Sequence, residues 1–161
     1  MQRIFNLKDL TKLTSILEKQ NQSIVLVGGC FDLLHLGHII FLEKAKKQGN
    51  LLVVLLESDQ KITKLKGANR PLNKQSDRAK MLASLRSVDY VIKLPFIEKE
   101  SDYDSLVKTL QPKVIATSKG DKHIKHKQRS AKLVNAKLKI VTKLITAYSS
   151  SQIINEIKYV N

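Results

Sequence analysis

Apolar positions along the chain alternate between runs at helical spacing and short runs that are apolar throughout. Asp9 to Gln20 places Leu10, Leu13, Ile16 and Leu17 on one face, which predicts an N-terminal helix over about 8–20. Ile24-Val25-Leu26-Val27 is a strand-like run that ends in Gly28-Gly29. Leu36 to Gln48 is helical in pattern, with Gly49 as its stop. Leu51 to Leu56 is apolar on both faces, as a central parallel strand requires. Asn73 to Ser87 predicts a helix capped by Asn73, with Met81, Leu82 and Leu85 facing inward. Tyr90-Val91-Ile92, Val114-Ile115-Ala116 and Leu138-Lys139-Ile140-Val141 are further strands, and Asp102 to Leu110 and Ser151 to Tyr159 further helices.

Strands alternating with helices predict an α/β fold, a doubly wound parallel sheet with helices on both faces and right-handed crossovers. No repeat or low-complexity linker interrupts residues 1–161, so one domain is expected. In such a sheet ligands sit beyond the carboxyl ends of the strands. The loop after Gly28-Gly29 lies at that edge.

Composition narrows the classes. No apolar run approaches the roughly 20 residues of a membrane span. The opening Met1-Gln2-Arg3-Ile4 leads into a mixed polar segment rather than a secretory core. Cys30 is the single cysteine and can form no internal disulfide, so a cytoplasmic setting is expected. The net charge of +15 suits nucleic acid, anionic small molecules, or merely a lysine-rich composition. Lysines occur in every segment and cluster most densely from Lys119 to Lys132, without a basic arm, zinc-finger spacing or base-stacking aromatics. Nucleic-acid binding is therefore the lesser reading.

The chemistry concentrates in Gly29-Cys30-Phe31-Asp32-Leu33-Leu34-His35-Leu36-Gly37-His38, between the first strand and the next helix. A helix beginning near Leu36 puts His35 and His38 on one side of its first turn. That turn offers unpaired N–H groups and the positive end of the helix dipole, a natural seat for phosphates. Gly37 leaves room for a triphosphate against the backbone. Two imidazole donors there can follow charge growing on a transferring phosphate. Zinc held by Cys30, His35 and His38 is a rival, weakened by the lack of a further ligand at suitable spacing. A buried structural histidine pair is another. Cys30 itself reads as a small buried residue rather than a nucleophile.

These residues resemble the GxFDxxHxGH signature of the HxGH nucleotidyltransferase superfamily, in its cytidylyltransferase-like branch. The pattern is nearest to heptose 1-phosphate adenylyltransferases, then to glycerol-3-phosphate cytidylyltransferases, and runs from about Asn6 to Ile157. The resemblance implies a Rossmann-like fold, and Gly29, Cys30, Phe31, Asp32 and Gly37 at the nucleotide. Phe41-Leu42-Glu43-Lys44-Ala45-Lys46 is similar to the family's first helix. Glu57-Ser58-Asp59 is similar to the end of its second strand, which implies Asp59 near the acceptor. Leu65-Lys66-Gly67 with Arg70-Pro71-Leu72-Asn73 is similar to the LKG…RP(I/V)N segment and implies Lys66 at the phosphates, with Lys64 beside it. A lysine before a glycine in a polar loop can close over an anion as a point charge. Arg78 matches the arginine of the following helix and is expected to hold acceptor phosphate or to bracket the loop. Asp89 fits a structural Val-Asp pair. Gly120-Asp121 resembles the tail of a KGGD loop at the nucleotide. Tyr148 to Ile154 resembles an S(S/T)(S/T)xII segment, which implies nucleotide contacts from Ser149, Ser150 and Ser151 or a helix cap.

The chain also departs from the pattern. Gly28 stands where the heptose enzymes carry Asn, Lys119 replaces a glycine of KGGD, and Lys122 to Lys127 forms a basic loop where relatives are often acidic. His123 and His126 fit that exposed loop better than a metal site. Leu144 takes the place of an arginine found in the cytidylyltransferases, which turns the expectation from CTP toward ATP. The resemblance thus implies transfer of AMP from ATP to a sugar 1-phosphate, with D-glycero-β-D-manno-heptose 1-phosphate the first choice and release of pyrophosphate. Transfer from CTP to glycerol 3-phosphate and transfer from ATP to FMN are the alternatives. Mg²⁺ is expected to arrive with the triphosphate, no dedicated metal site is expected, and a homodimer is the family expectation. A non-catalytic nucleic-acid-binding protein on the same fold is the reading from another class.

Overall fold

A computed structural model describes residues 2–143 and 152–154. Six strands form one sheet in the order β1-β4-β3-β2-β5-β6: β1 (Ile4–Asn6), β2 (Ile24–Gly29), β3 (Leu51–Leu56), β4 (Tyr90–Lys93), β5 (Val114–Lys119) and β6 (Lys137–Lys143). Every pairing is parallel. The helices are α1 (Leu10–Gln20), α2 (Leu36–Lys46), α3 (Asp59–Lys66), α4 (Gln75–Ser84), α5 (Glu100–Leu110) and α6 (Ile124–Leu133). This is the doubly wound, Rossmann-like α/β architecture that the alternation predicts. Among the described residues no helix is long and apolar enough to cross a membrane.

The β3 strand shows why the sheet is covered twice. Leu51, Val53 and Leu55 pack with Leu106, Val107 and Leu110 of α5 and Leu13 and Leu17 of α1. Leu52, Val54 and Leu56 pack with Leu42 and Ala45 of α2 and Ala79 and Leu82 of α4. All six residues are buried, so period-two alternation feeds two apolar layers rather than one. β6 is the opposite case. It is an edge strand with four lysine or threonine residues, and Ile140 stands 56% exposed.

The chain leaves β2 for β3 on one side and later for β5 on the other. Strand order therefore reverses between β2 and β5, and the crevice at their carboxyl ends is where such sheets bind ligands. The β2–α2 loop opens onto it.

Several expected boundaries change. β1 was not anticipated; only Phe5 within it is buried, and the strand exists because Ile4, Phe5 and Asn6 pair with Val91, Ile92 and Lys93. α2 ends at Lys46 rather than Gln48, and α4 runs from Gln75 to Ser84 rather than from Asn73 to Ser87. Asn73 does not cap α4. Lys74 holds that position, and the Asn73 amide donates to the Asp32 carbonyl. Leu82 of α4 is buried, whereas Met81 and Leu85, the residue that ends the helix, are only partly so. Lys64 and Lys66 belong to a helix, α3, and not to a polar loop; Ser58 caps it by accepting from the Lys61 N–H at 3.1 Å. The basic segment past His123 is likewise helical, as the first turn of α6. Residues 152–154 are helical, and the rest of the helix expected from Ser151 to Tyr159 lies outside the described residues.

Candidate functional site: a histidine pair at the mouth of α2

The loop after β2 is built around one aromatic ring. Phe31 takes the left-handed conformation (φ 46°), and its ring fills the space beside Gly29, where a Cβ would come within 2.9 Å of the ring. The same ring packs against His38, with centroids 5.0 Å apart. The chain then extends through His35, the N-cap of α2, whose carbonyl accepts from the His38 N–H at 2.9 Å and the Ile39 N–H at 3.2 Å. Closing that turn stacks the His35 and His38 imidazoles at 3.7 Å and 20°. The Nδ1 atoms of both rings are buried without a hydrogen-bond partner. Such atoms are rare in a folded protein, because each gives up its hydration for nothing. Gly37 lies in the same first turn, where the Leu36 and Gly37 N–H groups have no helical carbonyl behind them.

Charge at this mouth is arranged for an anion. Burial, the neighbouring His35 and the Lys66 ammonium push the His38 pKa down to about 3, outweighing a backbone hydrogen bond with Leu33 that works the other way. Burial and Lys66 lower His35 as well. Both rings are therefore neutral at pH 7 in the free protein, each with a single N–H, and that of His38 is directed to the Leu33 backbone. Lys66, the last residue of α3, is exposed and near enough to act on both rings. Gly67 ends α3 at φ 99°, with open space around it. The half-buried Cys30 thiol lies in the same field; burial raises its pKa and Lys66 opposes that. The three residues expected to carry the chemistry, His35, His38 and Lys66, thus share one electrostatic neighbourhood.

Other expected site residues are tied into the frame of the site. Asp32 is fully buried and accepts from Arg70 Nε at 2.5 Å, the Leu72 N–H at 2.7 Å and the Asn73 N–H at 3.3 Å. Burial alone would raise its pKa, but the Arg70 bond and the two backbone donors outweigh it and hold the carboxyl below the usual range. Its oxygens face the protein, where they latch the β2–α2 loop to the segment after α3. Arg78 is enclosed as well. It is 0% exposed, and its guanidinium donates to the carbonyls of Asn73, Cys30 and Glu57 and to Asp59 Oδ1 at 2.7 Å. It brackets the loops and offers no free fork to an acceptor. Asp59 is tied to Arg78, and Lys64 pairs with Glu98 at the surface. Asp89 bridges Lys46 of α2 and the Leu52 N–H of β3, a structural position.

At the end of β5 the second loop is equally braced. Gly120 has φ 85°, and Asp121 accepts from Thr117 Oγ1 at 2.5 Å, Lys127 Nζ at 2.6 Å and the His123 N–H at 2.8 Å. Burial opposes these donors but does not match them, and the Asp121 pKa falls to about 2. His126 pairs with Glu100, and His123 is exposed beside it. Among the described residues no three His, Cys, Asp or Glu side chains gather to hold a metal ion. Ser149, Ser150, Ser151 and Leu144 lie outside the described residues.

Sequence reasoning missed Arg70 as the partner of Asp32, 38 positions away, and Lys127 as the partner of Asp121. It also missed Tyr103, whose hydroxyl binds both Glu57 carboxylate oxygens. The Arg-Pro-Leu-Asn segment was a usable signal for the first. The other two are pairings across the fold that no local pattern marks.

Comparison with known proteins agrees with this geometry. The cytidylyltransferase-like family pattern matches residues 26–156. The bifunctional protein HldE of Campylobacter fetus is 39% identical over 156 residues, covering 97% of this chain and 31% of that protein. HldE of Helicobacter pylori strain J99 is 40% identical over 152 residues, covering 92% and 30%. The chain thus spans about a third of the length of these relatives. A lipopolysaccharide core biosynthesis protein from Thermoplasma volcanium superposes with a TM-score of 0.60 at 29% identity, over 76% of this chain and 97% of that one. Pantoate-beta-alanine ligase from Francisella tularensis, at 18% identity and a TM-score of 0.66 over 98% and 77%, shares the fold. With its HxGH turn at the switch point of a parallel sheet and a family match over most of its length, the chain belongs to the cytidylyltransferase-like family.

Proposed function

We propose that this protein is a nucleotidyltransferase that moves AMP from ATP to a sugar 1-phosphate, with D-glycero-β-D-manno-heptose 1-phosphate the preferred acceptor. The observation that carries the reading is the stacked, neutral His35–His38 pair, with unpartnered buried nitrogens at the mouth of α2. An acceptor phosphate oxygen attacks the α-phosphorus of ATP. A new P–O bond forms, the bond to the β-phosphate oxygen breaks, and pyrophosphate leaves. The nucleophile is already ionised at neutral pH, so no strong general base is required. Placement and charge stabilisation dominate such transfers. The imidazole N–H groups and the α2 N-terminus are suited to the charge growing on the non-bridging and leaving oxygens, and Lys66 to the departing pyrophosphate. Mg²⁺ would neutralise the triphosphate it enters with, held by phosphate oxygens. Gly120 and Ser149 to Ser151 are assigned to the nucleotide side. The same reading includes a homodimer in the cytoplasm.

The test is pyrophosphate release from ATP or CTP with each of heptose 1-phosphate, glycerol 3-phosphate and FMN. ATP with heptose 1-phosphate should be fastest. Turnover with CTP and glycerol 3-phosphate alone would contradict the choice of substrates. Salt-sensitive nucleic-acid binding with no turnover would contradict the enzyme.

A further inference from the structure

One polar cluster at the carboxyl edge of the sheet has no part in the phosphate chemistry. Glu57 is the first residue past β3, and its N–H donates to the Gly29 carbonyl at 3.1 Å, which sets it beside the start of the histidine loop. Arg78 ties the two positions again, donating to the carbonyls of Cys30 and Glu57. By the alternation of β3 the Glu57 side chain falls on the α5 face of the sheet, where Tyr103 Oη lies 2.9 and 3.1 Å from its two carboxylate oxygens. Lys61 flanks both Tyr103 and Glu57. Its ammonium lies 5.7 Å from the centre of that ring and donates to the Ile97 carbonyl at 2.8 Å.

A carboxylate can accept about four hydrogen bonds. Among the described residues the Glu57 carboxylate accepts from the Tyr103 hydroxyl alone. Burial raises the Glu57 pKa, with the Tyr103 bond, Lys61 and Arg78 only opposing it, so the group is short of donors. Its charge also acts on the Cys30 thiol, on which Lys66 acts in the opposite sense. The site is therefore polarised, with the Lys66 ammonium beside the neutral histidines at one end and the Glu57 carboxylate, flanked by Lys61 and Arg78, at the other. An anion at that second end repels phosphate. It suits a neutral part of a ligand that is rich in hydroxyl donors.

We propose that Glu57, held by Tyr103, is the hydroxyl-binding element of the acceptor site, taking a pair of adjacent hydroxyls of the sugar whose phosphate lies toward His35, His38 and Lys66. This rests on the nucleotidyltransferase reading above and adds the means by which a polyhydroxylated acceptor is selected. Glu57 is the contacting residue and Tyr103 a positioning one.

Steady-state kinetics of the full chain tests it, with saturating MgATP and heptose 1-phosphate or its ring-deoxy analogues as the varied acceptor. Glu57→Gln should raise the acceptor KM at least tenfold and leave the KM for ATP within twofold. Tyr103→Phe should raise the acceptor KM several-fold with kcat nearly unchanged. In the unaltered protein one deoxy analogue should lose at least tenfold in kcat/KM, and Glu57→Gln should erase most of that discrimination. The unaltered protein's response to the analogues requires no variant to fold. Equal discrimination with and without the Glu57 carboxylate overturns the inference alone, as does a rise in the KM for ATP in place of the acceptor's. No turnover of any sugar phosphate by the unaltered protein overturns the underlying reading and this inference together.

Discussion

Arg78 and the His35–His38 pair meet at the same loop, yet their polar atoms are treated in opposite ways. The guanidinium is completely enclosed and makes four hydrogen bonds, three to carbonyls and one to a carboxylate. The two imidazoles are partly enclosed and leave both Nδ1 atoms unmatched. A polar group that the fold satisfies belongs to the frame. One that the fold desolvates and leaves unmatched at the crevice is available to something that arrives later. Asp32 and Asp121 fall with Arg78, since each is saturated from within. Glu57 stands between the two, desolvated but held by the single Tyr103 hydroxyl.

That contrast is broken most severely by Arg78→Ala. Removing the guanidinium leaves three carbonyls and Asp59 without their donor, and unfolding in urea should show a loss of about 3–5 kcal/mol. Arg78→Lys should recover only part of it, because a single ammonium cannot span the fork. A variant as stable as the parent would remove Arg78 from the frame. His38→Asn should do the reverse. Turnover should fall by about 10²–10³-fold, while the melting temperature changes little. A large drop in melting temperature with activity retained would make the pair structural.

A gentler probe of the pair is pH. The His38 pKa in the folded protein, about 3, lies below its ordinary value of 6.5. Between those values the unfolded chain binds more protons, so this part of the stability is present above pH 6.5 and fades as pH falls toward 3. Urea midpoints at pH 7 and pH 5 should differ in that direction, and His38→Asn should flatten the difference. A midpoint that rises on acidification would contradict a desolvated, neutral ring. The smallest effect is expected at the surface: breaking the exposed Lys64–Glu98 pair with Lys64→Met should cost no more than about 1 kcal/mol.

Much of this frame is legible in the chain, for a physical reason. β2 and β3 are apolar enough to announce themselves, and the ten-residue segment from Gly29 to His38 carries its own turn, cap and imidazole spacing. What escaped depends on contacts made across the fold. β1 has one buried side chain, Phe5, and owes its existence to β4. α3 has only Ile62 buried, so no periodicity marks it, although Ser58 before it and Gly67 after it are readable start and stop signals. Asn73 has the chemistry of a cap but is drawn away by Asp32. The roles of Asp32 and Arg78 turn on whether their charged atoms face the interior or the crevice, and spacing alone does not encode that.

The central claim is that the stacked imidazoles receive a polyphosphate. It is tested most directly by ¹⁵N nuclear magnetic resonance of the histidine ring nitrogens at pH 7, before and after addition of MgATP. His35 and His38 should begin as neutral rings and move toward the protonated signature on binding, with proton uptake from the buffer, while His123 and His126 stay as they were. Saturable ATP binding that leaves the His35 and His38 nitrogens unmoved would contradict the account.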